Sequence, residues 1–196
     1  MKTGLILLLL VIIVIAGSKY ISIRNEFIGE RETIDAAWAQ VDAALGHRAS
    51  LVPELAEALT APGPKGAPTG NRAPNSTGTI KALNDARAAL DGAHQPRQKI
   101  QANAELDNAL ARALLAAERF PKLDGSKKFG DLEDTLKEAE NRIAVERRKY
   151  NEAVEQYNAR TALFPNNVVA SLSGFHQIDA YIPTTGDAPM PSTVIH

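Results

Sequence analysis

The sequence predicts an all-α fold, with an N-terminal transmembrane helix followed by a long-helix antiparallel bundle. Three observations predict it. Leu5, Ile6, Leu7, Leu8, Leu9, Leu10, Val11, Ile12, Ile13, Val14, Ile15 and Ala16 form an unbroken apolar run at the start. Downstream, apolar residues recur at three- and four-residue steps, the signature of helices with one buried stripe. The composition is rich in alanine, with 5% aromatic and 23% charged residues, which suits packed helices better than a sheet.

The apolar run must enter a membrane, because such a segment has no place on the surface of a soluble domain. By itself it falls short of the roughly 20 residues that span a bilayer. Gly4 to Ile23 reaches that length if Lys19 snorkels and Tyr20 lies in the interface. Residues 1–23 are therefore expected to be a membrane anchor in contact with lipid. A cleaved signal peptide is the competing reading, with Lys2 as its positive start and Ala16-Gly17-Ser18 as a small-residue cleavage site. Apolar character running on through Ile21, Ile23, Phe27 and Ile28 favours the anchor. Lys2 and the free amine on one flank nearly balance Lys19, Arg24 and Arg31 on the other. The signal-like start favours an exported C-terminal domain.

Residues 24–182 are expected to form one helical domain. Its first helix continues out of the membrane, with Ile34, Trp38, Val41, Leu45, Val52, Leu55 and Leu59 on its stripe and Pro53 as a kink. Arg48 falls on that stripe where an apolar side chain is expected. Trp38, the only tryptophan, reads as a core anchor or, alternatively, as an aromatic offered to a partner. Residues 61–79 are rich in proline and glycine and are expected to be a flexible loop. Asn75-Ser76-Thr77 within it matches a glycosylation sequon, a match that chance explains in such a composition.

Ile80 to Ala93 is a short helix ending at Gly92. Pro96 opens the next, which carries Ile100, Leu106, Leu110, Leu114, Ala117 and Phe120 and is stopped by Pro121. A turn at Asp124-Gly125-Ser126 precedes the longest soluble helix, Phe129 to Phe164. Phe129, Leu132, Leu136, Ala139, Ile143, Tyr150, Val154, Tyr157 and Phe164 are expected to line its apolar side, and Glu133 pairs with Lys137 on its flank. Pro165 ends it. Val168 to Tyr181 is mostly apolar and should cover one end of the bundle. Residues 183–196 are expected to be a disordered tail.

Several chemistries are excluded. There is no cysteine, hence no disulfide, thiolate metal site or cysteine nucleophile. Lys plus Arg 22 against Asp plus Glu 23 gives a net charge of −1, with no basic surplus for nucleic acid. His47, His94, His176 and His196 stand in no His-Glu-x-x-His or Glu-x-x-His spacing, which a di-iron bundle needs. Gly125-Ser126-Lys127-Lys128 lacks the spacing of a phosphate-binding loop. Arg147-Arg148-Lys149 is a solvated face balanced by Glu146 and Glu152, or a contact for anionic lipid. No catalytic, cofactor-binding or metal-ligating residue is predicted, and no cofactor.

Beyond these physical readings, the chain resembles a family. Ile34-Asp35-Ala36-Ala37-Trp38-Ala39-Gln40-Val41-Asp42 and Leu51-Val52-Pro53-Glu54-Leu55 resemble the first helix of LemA-type bacterial membrane proteins. Leu114 to Leu123, Glu140-Asn141-Arg142-Ile143-Ala144, Lys149 to Val154 and Phe164-Pro165-Asn166-Asn167-Val168-Val169-Ala170 continue the likeness in order. The resemblance implies an N-terminal anchor in the bacterial inner membrane, a long-helix bundle and no known enzymatic activity. Glu140 and Asn141 are then expected to be structural, with Glu140 the expected partner of Arg48 and Glu118 the runner-up. Arg48 projecting outward to lipid or a partner is the alternative.

Three function classes follow. The leading one is a non-enzymatic, membrane-anchored bundle presenting a helical surface to a protein partner or to copies of itself. The second is an accessory subunit of a membrane peptidase or transport assembly. The third is an enzyme using carboxylates such as Glu118 and Glu140, which nothing in their spacing demands.

Overall fold

Apolar residues at helical spacing give helices throughout: the computed structural model describes residues 2–60, 76–118 and 127–182, and no strand occurs among them. Six helices follow in order: α1 Lys2–Ser50, α2 Val52–Thr60, α3 Ser76–Gly92, α4 Pro96–Glu118, α5 Lys127–Ala162 and α6 Asn166–Ser173. The all-α expectation holds.

α1 runs without interruption from the apolar segment into packed residues. It stops at Leu51, two residues before the expected kink. The cause is still Pro53, whose missing N–H leaves the carbonyl of Ala49 without its helical donor. The chain answers with a tighter turn, Leu51 N–H donating to Arg48 O at 3.1 Å, and then resumes with Leu55 N–H to Leu51 O at 3.1 Å.

α3 begins at Ser76, so Ser76 to Thr79, placed by sequence in the Pro/Gly loop, are helical. Residues 61–75, including Asn75 of the sequon, lie outside the described residues, as do the turn at Asp124-Gly125-Ser126 and the tail 183–196. At the start of α4, Pro96 occupies the first turn as its fixed φ allows. Gln98 Oε1 reaches back to accept from the backbone N–H groups of His94 and Gln95, both at 3.3 Å. That is the return half of a capping box.

The residues expected to form one domain divide into two compact units. The first unit comprises residues 1–39 and 148–180. Here α1 and α5 run antiparallel: Phe27 meets Tyr157 edge-on at 5.9 Å between ring centroids, and Trp38 meets Tyr150 at 5.3 Å. Phe27 and Tyr157 are fully buried, and Ile34, Val154, Val169 and Ala170 of the same unit are buried as well. The second unit comprises residues 40–147 and 181–196. In it α3 packs against α4 and α2 against α3. Its core is Val41, Leu45, Val52, Leu55, Leu83, Leu90, Leu106, Ala113 and Leu136. Lys99 holds Asp42 at 2.6 Å, and Glu133 pairs with Lys137 at 2.8 Å one turn apart.

Candidate functional site

The apolar run of α1 is the first functional element. Every large side chain from Leu5 to Ile15 is more than half exposed. A helix that is apolar all round and has no protein against it is matched to lipid. α1 is long and apolar enough to cross a membrane.

A buried polar cluster in the second unit is the next. Arg48 is only 6% exposed and Asn103 1%. Arg48 Nη2 donates to Asn103 Oδ1 and forms an ion pair with Asp107. Asn103 and Asp107 stand one turn apart on α4, so both face α1. The Asn103 amide nitrogen donates to Asp107 Oδ2 and to Tyr181 Oη, each at 3.1 Å. Its oxygen and both its hydrogens are thus used. The Arg147 guanidinium lies 5.6 Å from the centre of the Tyr181 ring, a cation–π distance. Arg48 Nε has no hydrogen-bond partner. This cluster ties the start of the C-terminal segment to α1 and α4, and its charges are already answered within the protein.

The carboxylate that meets Arg48 is Asp107 of α4, where sequence reasoning looked to Glu140 on the longest helix. Glu140 is half-buried and Asn141 exposed. Asn141 lines an open hollow of about 400 Å³ with His47, Thr135, Glu138 and Arg142. His47, Glu138, Asn141 and Arg142 are all solvent-exposed there, so their charges are screened by water. Among the described residues no three His, Asp or Glu side chains gather closely enough to hold a metal ion.

In the first unit Arg160 bridges two turns of α1. Its Nη1 donates to Glu26 at 2.8 Å and its Nε reaches Glu30 at 2.9 Å. Burial nevertheless holds the Glu30 carboxyl above its ordinary pKa, with Arg160 opposing and Glu26 adding to the rise. Burial also raises the Tyr150 and Tyr157 phenols. Trp38 is half-buried rather than enclosed. Its edge-on contact with Tyr150 makes it a lid on the aromatic row and not the centre of a core.

The LemA family model matches residues 37–192, most of the chain. The chain belongs to the LemA family. The match begins within α1, after the apolar run. Among curated proteins this LemA chain is similar to Magnetosome protein MamQ 1 and MamQ 2 of Paramagnetospirillum magneticum. Each is 31% identical over 84 residues, covering 42% of this chain and 31% of the relative. It is also similar to Magnetosome protein MamQ of Magnetospirillum gryphiswaldense, 26% identical over the same length. The chain thus aligns with less than a third of the length of these relatives.

Asn103, Asp107 and Tyr181 were not singled out from the sequence of this LemA protein. A signal for Asn103 exists. It continues the α4 series Leu106, Leu110, Ala113 and Ala117 backwards at a three-residue step, as the one polar member of a buried stripe.

Proposed function

We propose that this LemA-family chain is a single-pass, membrane-anchored helical scaffold without enzymatic activity. It presents its bundle on the extracytoplasmic face of the bacterial inner membrane to a protein partner or to further copies of itself. The observation that supports this reading is the continuity of α1. One helix carries the lipid-matched run from Leu5 to Ile15 and, without a linker, the packed residues Phe27 and Ile34 of the first unit. A helix fixes the distance and orientation of what it carries, at 1.5 Å per residue. The buried polar cluster serves register rather than chemistry, because the Arg48 charge is paired with Asp107 and the Asn103 amide is used by Arg48, Asp107 and Tyr181.

Two measurements test the proposal. Intact mass of the protein purified from membranes should show residues 1–18 retained, and a mature start at Lys19 sinks the anchor. Purification in mild detergent with mass analysis of what accompanies the chain tests the scaffold. A homogeneous homo-oligomer supports self-assembly, and a single stoichiometric client supports the accessory-subunit form. A monomer with no companion overturns the interaction role.

A further inference from the structure

Between Arg160 and Asp179 the sequence contains no Asp, Glu, Lys or Arg, in a chain that is 23% charged. This stretch covers the end of α5, the turn at Pro165, α6 and the segment beyond it. Its inner side chains pack against α1. Val169 and Ala170 are buried, and Phe175 stacks on Phe27 with ring centroids 5.2 Å apart. Gly174, at φ +74°, ends α6 in the left-handed conformation, and Phe175 N–H then bonds back to Ala170 O at 2.9 Å. This return turn brings Phe175 onto α1.

The outer side chains of the same corner are large, apolar and uncovered. Phe164 is 83% exposed and Leu172 72%, and Leu163 and Val168 are exposed with them. Leu172 lies one turn after Val168, so the two share a face of α6. The level of this corner along α1 is fixed. Tyr20 Oη and Ser173 Oγ share a hydrogen bond of 2.9 Å. Tyr20 is the residue at which the apolar run gives way to the packed part of α1, and Ile21 beside it is 59% exposed. With the apolar run of α1 crossing the hydrocarbon, Tyr20 stands at the interface.

We infer that the α5–α6 corner is a second membrane contact: Leu163, Phe164, Val168 and Leu172 enter the headgroup–acyl boundary of the bilayer that holds α1. The occupant is lipid because the patch is continuous with the lipid-matched surface of α1 and because it carries no charge. Apolar helix faces of this kind sink roughly 5–10 Å into the interface. Two contacts, one spanning and one lying flat, fix the tilt of the first unit over the membrane. This inference rests on the anchor reading of α1.

The chain has no cysteine, so single-cysteine variants of the full protein give one labelled site each. Leu172→Cys, Phe164→Cys, Ile12→Cys and Glu155→Cys, carrying an environment-sensitive fluorophore, are reconstituted in phosphatidylcholine–phosphatidylglycerol vesicles. Nitroxide lipids quench from a shallow or a deep position. The expected result is roughly twofold quenching of the 164 and 172 labels by the shallow nitroxide, as interfacial depth requires. The label at 12 should respond to the deep nitroxide, and the label at 155 to neither. If 12 is quenched while 164 and 172 behave like 155, the anchor stands and the second contact is refuted. A blue-shifted but unquenched label at 172 places a protein surface there, which equally overturns the lipid contact. If 12 is unquenched, the anchor reading fails and this inference falls with it.

Discussion

Arg48 and Asn103 are each the single polar residue on an otherwise buried apolar stripe, one on α1 and one on α4, and they meet through a hydrogen bond from Arg48 Nη2 to Asn103 Oδ1. Asp107, one turn further along α4, supplies the countercharge. Two local violations of helix patterning thus cancel each other. Two apolar residues in their place would hold the helices as firmly, since a buried ion pair adds little net stability over well-packed hydrophobic groups. What the pair adds is register: sliding α4 by one turn leaves a guanidinium and a carboxylate buried apart.

The first prediction follows from that asymmetry. Arg48→Met alone takes the guanidinium away from the buried Asp107 carboxylate and should cost about 3–5 kcal/mol. Arg48→Met combined with Asp107→Leu should recover most of the loss. Urea unfolding of the detergent-solubilised chain, followed by helical circular dichroism, gives the cycle. Two singles that are each harmless would show that the pair carries no register.

The same cluster shows what the sequence made legible. Arg48 announced itself because the stripe Ile34, Trp38, Val41, Leu45, Val52, Leu55 is long enough to expose one exception. The stripe of α4 was read through Ile100, Leu106, Leu110 and Leu114. Asn103 falls inside that register, but a neutral amide does not announce a buried charge pair, and alanines at 109, 113 and 117 hide which face is buried. Helix identity and order come from local periodicity, which the sequence states directly. Partner choice depends on the rotation of one helix about its axis, which small alanine side chains leave unmarked. Tyr181 was beyond reach for another reason: it follows α6 in an irregular segment whose path no period describes.

Trp38 yields the second prediction. As a closed core residue its removal would cost several kcal/mol. It is half-buried, and its main partner is the Tyr150 ring at 5.3 Å. Trp38→Ala should therefore cost about 2 kcal/mol, the sum of partial burial and one edge-on aromatic pair. Trp38→Phe should cost less than about 1 kcal/mol, because the pair survives. A loss well above 3 kcal/mol in the same urea measurement would restore Trp38 to the core.

Glu30 makes stability depend on pH in the direction opposite to most paired carboxylates. Burial raises its folded pKa above the ordinary carboxylate value, despite Arg160. The folded state then holds the proton more tightly than the unfolded state. The contribution of Glu30 is full below the unfolded pKa and is lost as pH rises through the folded one. Glu30→Gln keeps an acceptor for Arg160 Nε and removes the buried charge. It should raise the thermal midpoint at neutral pH, and the gain should vanish in acid below the carboxylate range. A lower midpoint at neutral pH would mean that the Arg160 ion pair outweighs the burial.

Tyr150 and Tyr157 share the inner stripe of α5 but differ at the hydroxyl. Tyr150 Oη donates to the backbone carbonyl of Asp179 at 3.2 Å, tying the segment after α6 to α5. Tyr157 is fully buried, and its hydroxyl has no hydrogen-bond partner. Its ring is what the fold uses, edge-on to Phe27. Tyr150→Phe should therefore destabilise by about 1 kcal/mol, the usual net worth of one hydrogen bond. Tyr157→Phe should leave stability unchanged or raise it by up to about 1 kcal/mol, because it removes a buried polar group that nothing answers. Parallel urea titrations of the two variants decide the matter. If Tyr157→Phe loses as much as Tyr150→Phe, the Tyr157 hydroxyl is satisfied in solution, and a water or a rotated neighbour must be supplying its bond.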